Sequence, residues 1–190
     1  MYKVNEIFHS LQGEGFHTGR AAVFVRLAGC NLRCPFCDTD HSRHEPKTAE
    51  QIAERVFAYS TSPDTLIVLT GGEPSLQADA ALISALHRHN QTIAIETNGT
   101  HALPEGIDWI TLSPKAGAEV VLTRADELKL VMTGQPESEI QHWLTAVAAR
   151  HHYLQPCWGM PESTEKTVAY ILRHPEWQLS LQTHKFIDVQ

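Results

Sequence analysis

Two hydrophobic periods alternate along this chain. Residues 4–10, 21–27, 66–70, 92–95, 109–112, 127–131 and 153–156 read as short strands, and 21–27 and 66–70 are apolar nearly throughout, as in strands buried on both faces. Elsewhere the apolar spacing is helical. Ile52, Val56 and Tyr59 recur on one face, Leu82, Ile83 and Leu86 on another, and helices are predicted over residues 138–150 and 163–174. Thr48 followed by Gln51 three positions later is a capping-box pattern, Asp79 caps the second helix, and that helix stops near Asn90. Strands followed by helices imply parallel β/α units. Between Glu96 and Ser138, three strands follow one another with no helix, and Pro104, Gly106, Pro114 and Gly117 break the connections. The pattern predicts an α/β fold: an incomplete, partly open (β/α) barrel with a reduced helix count, built as one domain from residues 1–190.

Polar, glycine-rich motifs fall just after the predicted strands, at the carboxyl edge where α/β folds bind ligands. They are Gly71-Gly72-Glu73-Pro74, Glu96-Thr97-Asn98-Gly99-Thr100, Ser113-Pro114-Lys115 and Gln155-Pro156-Cys157-Trp158. After the first strand, Leu11-Gln12-Gly13-Glu14-Gly15-Phe16 sets two polar side chains among glycines, a loop able to approach a ligand or simply a turn. Arg26 interrupts an apolar strand. Either an anion meets it there or it reaches solvent from the strand end.

Three of the four cysteines, Cys30, Cys34 and Cys37, fall within eight residues as C-x3-C-x2-C. Thiolates this closely spaced converge on one soft centre, and an iron–sulfur cluster suits three cysteines that leave one iron open. The alternative is structural zinc, which wants four closed ligands and would have to recruit Cys157, His41 or His44. A disulfide framework fits less well in a chain of this length without a signal peptide.

Charge and composition narrow the partners. A net charge of −7 over 190 residues with no basic run argues against nucleic acid, and the longest apolar runs are too short to cross a membrane. No apolar secretory core follows the first residues, so the expected compartment is the reducing cytoplasm, which iron–sulfur chemistry needs. The 12 histidines are scattered and read mostly as surface residues.

The cysteine stretch, Gly29 to Thr39, resembles the radical S-adenosylmethionine (radical SAM) superfamily. There an open iron of a [4Fe–4S] cluster chelates the amino and carboxylate groups of S-adenosylmethionine, and an electron from the cluster yields a 5′-deoxyadenosyl radical. The resemblance implies that Gly72 and Glu73 lie in the motif that takes the cofactor's amino group. It sets Phe36 near the adenine, Ser113, Pro114 and Lys115 at the cofactor carboxylate, and Glu96 or Asn98 at the ribose. Gln155, Pro156, Cys157 and Trp158 would line the adenine side, with core packing the alternative for Trp158. Cys157 is not expected to bind the cluster.

The motifs quoted so far, together with Ser10-Leu11-Gln12-Gly13-Glu14-Gly15, Cys37-Asp38-Thr39, Thr70 and Gln182-Thr183-His184-Lys185, occur in an order that resembles the 7-carboxy-7-deazaguanine synthase family over nearly the whole chain. That family converts 6-carboxy-5,6,7,8-tetrahydropterin to 7-carboxy-7-deazaguanine with loss of ammonia, on the route to queuosine and other deazapurines. The resemblance implies catalytic use of S-adenosylmethionine, a Mg²⁺ ion, a homodimer and an electron donor such as flavodoxin. Thr39 would be a Mg²⁺ ligand, with a turn hydroxyl as the alternative. Leu11, Gln12, Gly13, Glu14, Arg26, Thr70 and His184 would surround the substrate, Glu14 at its donor edge and Arg26 at its carboxylate. At the other end the chain departs from the family pattern of a glycine and terminal proline, reading Phe186-Ile187-Asp188-Val189-Gln190. Two rival readings remain. One is a glycyl-radical activase, which would need neither the Gln12/Glu14 loop nor Thr39; the other is a zinc- or cluster-bearing binding module without turnover.

Overall fold

In a computed structural model, which describes residues 1–190, the apolar runs become nine strands. These are β1 (Tyr2–Leu11), β2 (Ala21–Leu27), β3 (Glu45–Lys47), β4 (Leu66–Gly71), β5 (Ile93–Thr97), β6 (Trp109–Leu112), β7 (Glu127–Met132), β8 (His151–Pro156) and β9 (Gln178–Leu179). The helices are α1 (Ala49–Tyr59), α2 (Ala80–Leu86), α3 (Glu137–Ala146), α4 (Ser163–Ile171) and the single turn α5 (Thr183–Phe186). All strands join one sheet in the order β3-β1-β2-β4-β5-β6-β7-β8-β9. From β2 to β9 the neighbours run parallel, while β1 pairs antiparallel with both β2 and β3. The sheet keeps two edges, β3 and β9, so the barrel is open, as the element pattern predicts.

Parallel neighbours need crossover connections, and helices supply four of them. α1 links β2 to β4, α2 links β4 to β5, α3 links β7 to β8 and α4 links β8 to β9. The loops between β5, β6 and β7 carry no helix, in agreement with the proline and glycine breaks. Side chains alternate between faces along each strand. One face carries Val23, Val25, Leu27, Ile67, Leu69, Ile93 and Ile95 against Ile52 and Val56 of α1 and Leu82, Ile83 and Leu86 of α2. Further along, Leu128, Leu130, Met132 and Leu154 pack with Ile140, Tyr170 and Trp177. Each such side chain, once buried, contributes on the order of 1.5–3 kcal/mol.

The opposite face changes character along the strands. Phe8, Ala22, Phe24, Leu66, Val68 and Ala94 form an apolar layer in which the Phe8 and Phe24 rings stack 4.9 Å apart. Two residues on from Phe24, Val68 and Ala94, the same face presents Arg26, Thr70 and Glu96. An apolar floor thus gives way to polar side chains at the carboxyl ends.

Several boundaries differ from the expectation. α3 ends at Ala146 rather than Arg150, because Val147 turns to extended backbone and is buried, and Ala148 bridges to Arg124. Residues 147–150 are needed to return the chain to β8. α4 ends at Ile171, and a turn carries it on, with the His174 amide donating to the Tyr170 carbonyl at 3.0 Å. The edge strands β3 and β9, of 3 and 2 residues, carry no hydrophobic alternation, and β3 contains Pro46, which only an edge tolerates. No helix is long and apolar enough to cross a membrane.

The capping box at α1 forms as read: the Gln51 amide donates to Thr48 Oγ1 at 3.2 Å and the Thr48 amide to Gln51 Oε1 at 2.9 Å. Thr48→Ala removes one half of it and should cost about 1 kcal/mol. In a chain of this size that lowers the melting temperature by about 2–4 °C. An unchanged thermal midpoint would contradict this account of the helix start.

Candidate active site

The motifs meet around one cavity of about 520 Å³ at the carboxyl ends of the parallel strands. One wall is the cysteine loop, which leaves β2 at Leu27. Gly29 turns it with φ +89°, and the Gly29 amide donates to the His41 carbonyl at 3.1 Å. Cys30 and Cys34 are half-buried, Cys37 is exposed, and all three line the cavity as free thiols. The Leu32 amide donates to Cys30 Sγ at 3.4 Å. Asn31 ties the loop to the end of β5, donating to Thr100 Oγ1 at 2.8 Å and accepting from Asn98 Nδ2 at 3.1 Å.

Gly71 and Gly72 pack directly beneath this loop. The Gly72 amide donates to the Leu27 carbonyl at 3.0 Å and the Glu73 amide to the Gly29 carbonyl at 2.9 Å. A Cβ on Gly71, whose φ is +134°, would lie 2.0 Å from the Leu27 carbonyl oxygen, and one on Gly72 2.0 Å from that of Gly29. Only glycine allows this approach of backbone to backbone. Glu73 is 1% exposed and fully engaged, accepting from Thr97 Oγ1 at 2.6 Å, the Asn98 amide at 2.7 Å and the Ser75 amide at 2.9 Å. Its carboxylate locks β4 to β5.

The donor set fits an iron–sulfur cluster. Burial pushes the Cys34 thiol up, Lys115 opposes this, and the nearby Cys30 and Cys37 add to it, so a thiolate at Cys34 would be favoured by a cationic centre. No three His, Cys, Asp or Glu side chains lie close enough to hold a single ion, whereas a cluster spreads its thiolates over separate corners. Cys157 also lines the cavity, where its amide donates to Ser163 Oγ at 2.8 Å and burial pushes its thiol up.

The cavity floor is a charge layer. Lys129, on β7 with a side chain 6% exposed, pairs with Glu14 and lies 3.9 Å from Glu96 Oε1. Gln182 Nε2 donates to Glu14 Oε1 at 2.9 Å. Glu96 also accepts from Gln12 Nε2 at 3.0 Å and Thr70 Oγ1 at 3.1 Å. The other end of the Gln12 amide accepts from the Glu14 backbone amide at 3.1 Å, so Gln12 shapes the loop as well as facing the cavity. Burial would raise Glu14, but the Lys129 charge and the hydrogen bonds from Lys129 and Gln182 outweigh it and hold the carboxyl below its usual range. Burial would lower Lys129, but Glu14, Glu96 and Glu127 hold its ammonium above the usual lysine value. The signs follow: Glu14 adds stability above its unfolded value of about 4.3, lost as pH falls through the folded one, and Lys129 adds stability below about 10.4, lost as pH rises past its folded one. Glu127 lies beneath, outside the cavity, accepting from the Phe16 amide at 2.9 Å, and burial pushes its carboxyl up.

Around the rim, Arg26 pairs with Glu6 at 2.8 Å and lies over the Phe8 ring. Asp38 pairs with Lys185 and accepts from Gln182 at 3.2 Å, and the half-buried Thr39 follows it. Lys185 sits 4.9 Å over the Trp158 ring, which meets Phe186 edge-on. His184 packs against Gly13, where a Cβ would come within 2.1 Å of its ring. Lys115 donates to the Ser113 carbonyl at 2.6 Å and to Ser113 Oγ at 2.7 Å, and burial with the neighbouring Lys129 charge brings its ammonium down to about 8. Gln155 is buried at the end of β8 and accepts from Ser180 Oγ at 2.9 Å.

Nearly every residue singled out in the sequence lines this cavity, including Leu11, Phe36, Asn98 and Pro156. Pro114 does not. It borders a smaller pocket between Phe36, Lys115 and Trp143. Trp158 is 52% exposed at the rim rather than packed in a core. Arg26 does meet an anion, Glu6 of the neighbouring strand. Sequence reasoning overlooked Lys129, and it quoted Asp38, Gln182 and Lys185 within motifs without giving them a role. Lys129 carried the same signal as Arg26, a cation inside an apolar strand; the others gain meaning only from contacts between distant loops.

The model of the radical SAM superfamily matches residues 25–173. Among curated relatives, a 7-carboxy-7-deazaguanine synthase of Bacteroides thetaiotaomicron is 50% identical over the full length of both chains. Proteins of the same name from Caulobacter vibrioides and Bradyrhizobium diazoefficiens are 46% and 44% identical, covering 99% and 100% of this chain and 99% of each relative. Among solved structures, a crystal structure of QueE from Escherichia coli superposes with a TM-score of 0.81 at 28% identity, covering 96% of this chain and 94% of that one.

The geometry separates the cysteines into a trio and a bystander. Replacing Cys30, Cys34 or Cys37 with alanine should abolish the broad absorbance near roughly 400 nm that thiolate-ligated iron–sulfur proteins show after anaerobic reconstitution. Cys157→Ala should keep it. Loss of colour in the Cys157 variant would overturn the assignment.

Proposed function

The chain belongs to the radical SAM superfamily and, within it, to the 7-carboxy-7-deazaguanine synthase family, and from that premise we propose how this cavity contracts the ring of 6-carboxy-5,6,7,8-tetrahydropterin to 7-carboxy-7-deazaguanine with loss of ammonia. It is a radical SAM lyase, and the superfamily implies a [4Fe–4S] cluster and S-adenosylmethionine. The observation that carries the reading of the cavity is the meeting of the three free thiols with the Gln12/Glu14 loop in one space. A protein-backbone activase or a binding module without turnover is not the family that the chain matches.

Cys30, Cys34 and Cys37 would hold the cluster. When bound, cluster and cofactor supply the one-electron chemistry that removes a hydrogen atom from the pterin. The protein's part is placement and charge. The backbone at Gly71 and Gly72, held tight under the cysteine loop, offers carbonyls to the cofactor's amino group, and Lys115 and Ser113 face its carboxylate. Lys115 would be drawn towards its charged form by that carboxylate. Glu96 and Asn98 serve the ribose, while Phe36 and the end of β8 from Gln155 to Trp158 line the adenine side.

The substrate would lie across the floor. The pterin's pyrimidinone edge carries an amino group and a ring N–H side by side, a donor pair that suits the ionised Glu14. Arg26, held by Glu6, would face the substrate carboxylate, with Leu11, Gly13, Thr70 and His184 closing the remaining sides. We assign Thr39 to a Mg²⁺ ion completed by the same carboxylate, since Mg²⁺ prefers hard oxygens and an anionic substrate. We also infer a homodimer in the cytoplasm fed by a one-electron donor such as flavodoxin; sedimentation at the mass of a single chain would contradict the dimer.

The reading is tested by anaerobic incubation with S-adenosylmethionine, dithionite, Mg²⁺ and the carboxypterin. A deazaguanine chromophore should appear, and its absence from cluster-loaded protein would contradict the proposal. Thr39→Ala should raise the Mg²⁺ concentration needed for half-maximal rate while sparing cluster content, and an unchanged Mg²⁺ titration would remove the ion from Thr39. Glu14→Gln sets an amide donor against a substrate donor and should lower kcat/KM about 5- to 150-fold, on the order of 1–3 kcal/mol. Arg26→Ala should weaken binding of the carboxylated pterin far more than that of a decarboxylated analogue. Normal turnover by Glu14→Gln, or equal weakening of both ligands by Arg26→Ala, would reverse the orientation.

A further inference from the structure

Lys129 stands on the inward face of β7. Leu128 and Leu130 on either side of it turn to the other face and pack into the core with Ile140 and Tyr170. Its ammonium pairs with Glu14 and lies 3.9 Å from Glu96, and these are the ion pairs of both carboxylates. A lysine held this deep, with a side chain 6% exposed, keeps its charge only because anions face it.

We propose that Lys129 is the positioning residue for pterin recognition: paired with Glu14 and Glu96, it fixes the direction of the Glu14 oxygens and keeps Glu14 a carboxylate. The inference rests on the pterin reading of the cavity. Protonation would change what Glu14 offers. A carboxylate accepts from both donors of the aminopyrimidinone edge, whereas a carboxylic acid sets its own O–H against one of them. Glu14 is buried, and burial alone would drive it to the acid form. The opposing groups are Lys129 on β7, Gln182 in the segment before α5 and His184 on α5. Lys115, in the loop after β6, is a further cation of the site, while Glu96 on β5 and Glu127 on β7 are the other anions around Lys129. Lys129 touches Glu14 directly and spans to Glu96, so it sets the spacing of the two cavity carboxylates.

Two measurements decide it. In cluster-loaded enzyme, Lys129→Met should raise the KM for the carboxypterin about tenfold or more at about pH 6.5, with a smaller change in kcat, and the defect should shrink towards about pH 8.5 as Glu14 ionises without its partner. Wild type and Lys129→Arg should show no such pH-dependent defect in KM, so the difference isolates the Lys129 charge. A purely structural role would lower activity by one factor at every pH. That result, or an unchanged KM, would overturn the proposal. The second measurement needs neither substrate nor a variant of Lys129. A ¹³C-carboxyl titration of glutamate-labelled wild type, with the Glu14 signal assigned through Glu14→Gln, should place Glu14 below the ordinary value of about 4.3. Titration at or above that value would also overturn it. If the wild type neither binds nor converts the pterin, the substrate reading fails, and the carboxyl titration still decides whether the charge layer holds Glu14 ionised.

Discussion

One buried ammonium sets the terms for the interior of this sheet. Lys129 is surrounded by Glu14, Glu96 and Glu127, and taking so many charges out of water costs several kcal/mol per ion before their attraction is counted. Such a layer persists because the Glu14 and Glu96 carboxylates have donors to accept from. Gln182 supplies Glu14, while Gln12 and Thr70 supply Glu96, and burial pushes the Glu127 carboxyl up. Removing the lysine would leave uncompensated buried carboxylates, a change that costs on the order of 3–5 kcal/mol. The layer joins residues from β4, β5, β7, the loop after β1 and the segment before α5. It is therefore a brace of the fold and the floor of the site at once.

The second constraint is the contact between two backbones. β2 and β4 run parallel and adjacent, so the chain leaving β2 into the cysteine loop and the chain leaving β4 into Gly71-Gly72 emerge side by side. The glycines let them touch, and Glu73 fastens the pair to β5 through Thr97 and Asn98. A thiolate-bearing loop is thereby set on a rigid edge with backbone carbonyls beside it, which is the arrangement that a chelated amino acid requires. Parallel topology thus gathers chemistry from distant stretches of sequence at one end of the sheet.

Much of this was legible in the chain because the signals are local. The C-x3-C-x2-C spacing, the capping box at Thr48 and the motifs after strands depend on neighbours within a few residues, and the structure places them as read. The absence of helices between β5 and β7 was likewise written in Pro104, Gly106, Pro114 and Gly117. What escaped depends on partners far along the chain. Lys129 meets Glu14 across 115 positions, and Asp38 meets Lys185 across 147. Trp158 finds its neighbours in Lys185 and Phe186 rather than in a core, and Pro114 borders a smaller neighbouring pocket instead of the cavity. The end of α3 was misjudged for a related reason: Val147 is drawn off the helix by burial and by the need to begin β8.

The central claim is that this charge layer receives the donor edge of a pterin while the cysteine loop presents the cofactor from the opposite wall. An anaerobic crystal structure of the protein loaded with cluster, S-adenosylmethionine and the carboxypterin tests it most directly. The account predicts the aminopyrimidinone edge within hydrogen-bond reach of both Glu14 oxygens, with the substrate carboxylate towards Arg26 and Thr39. A pterin bound in the reverse direction, its carboxylate over Glu14 and its donor edge at Arg26, would contradict it.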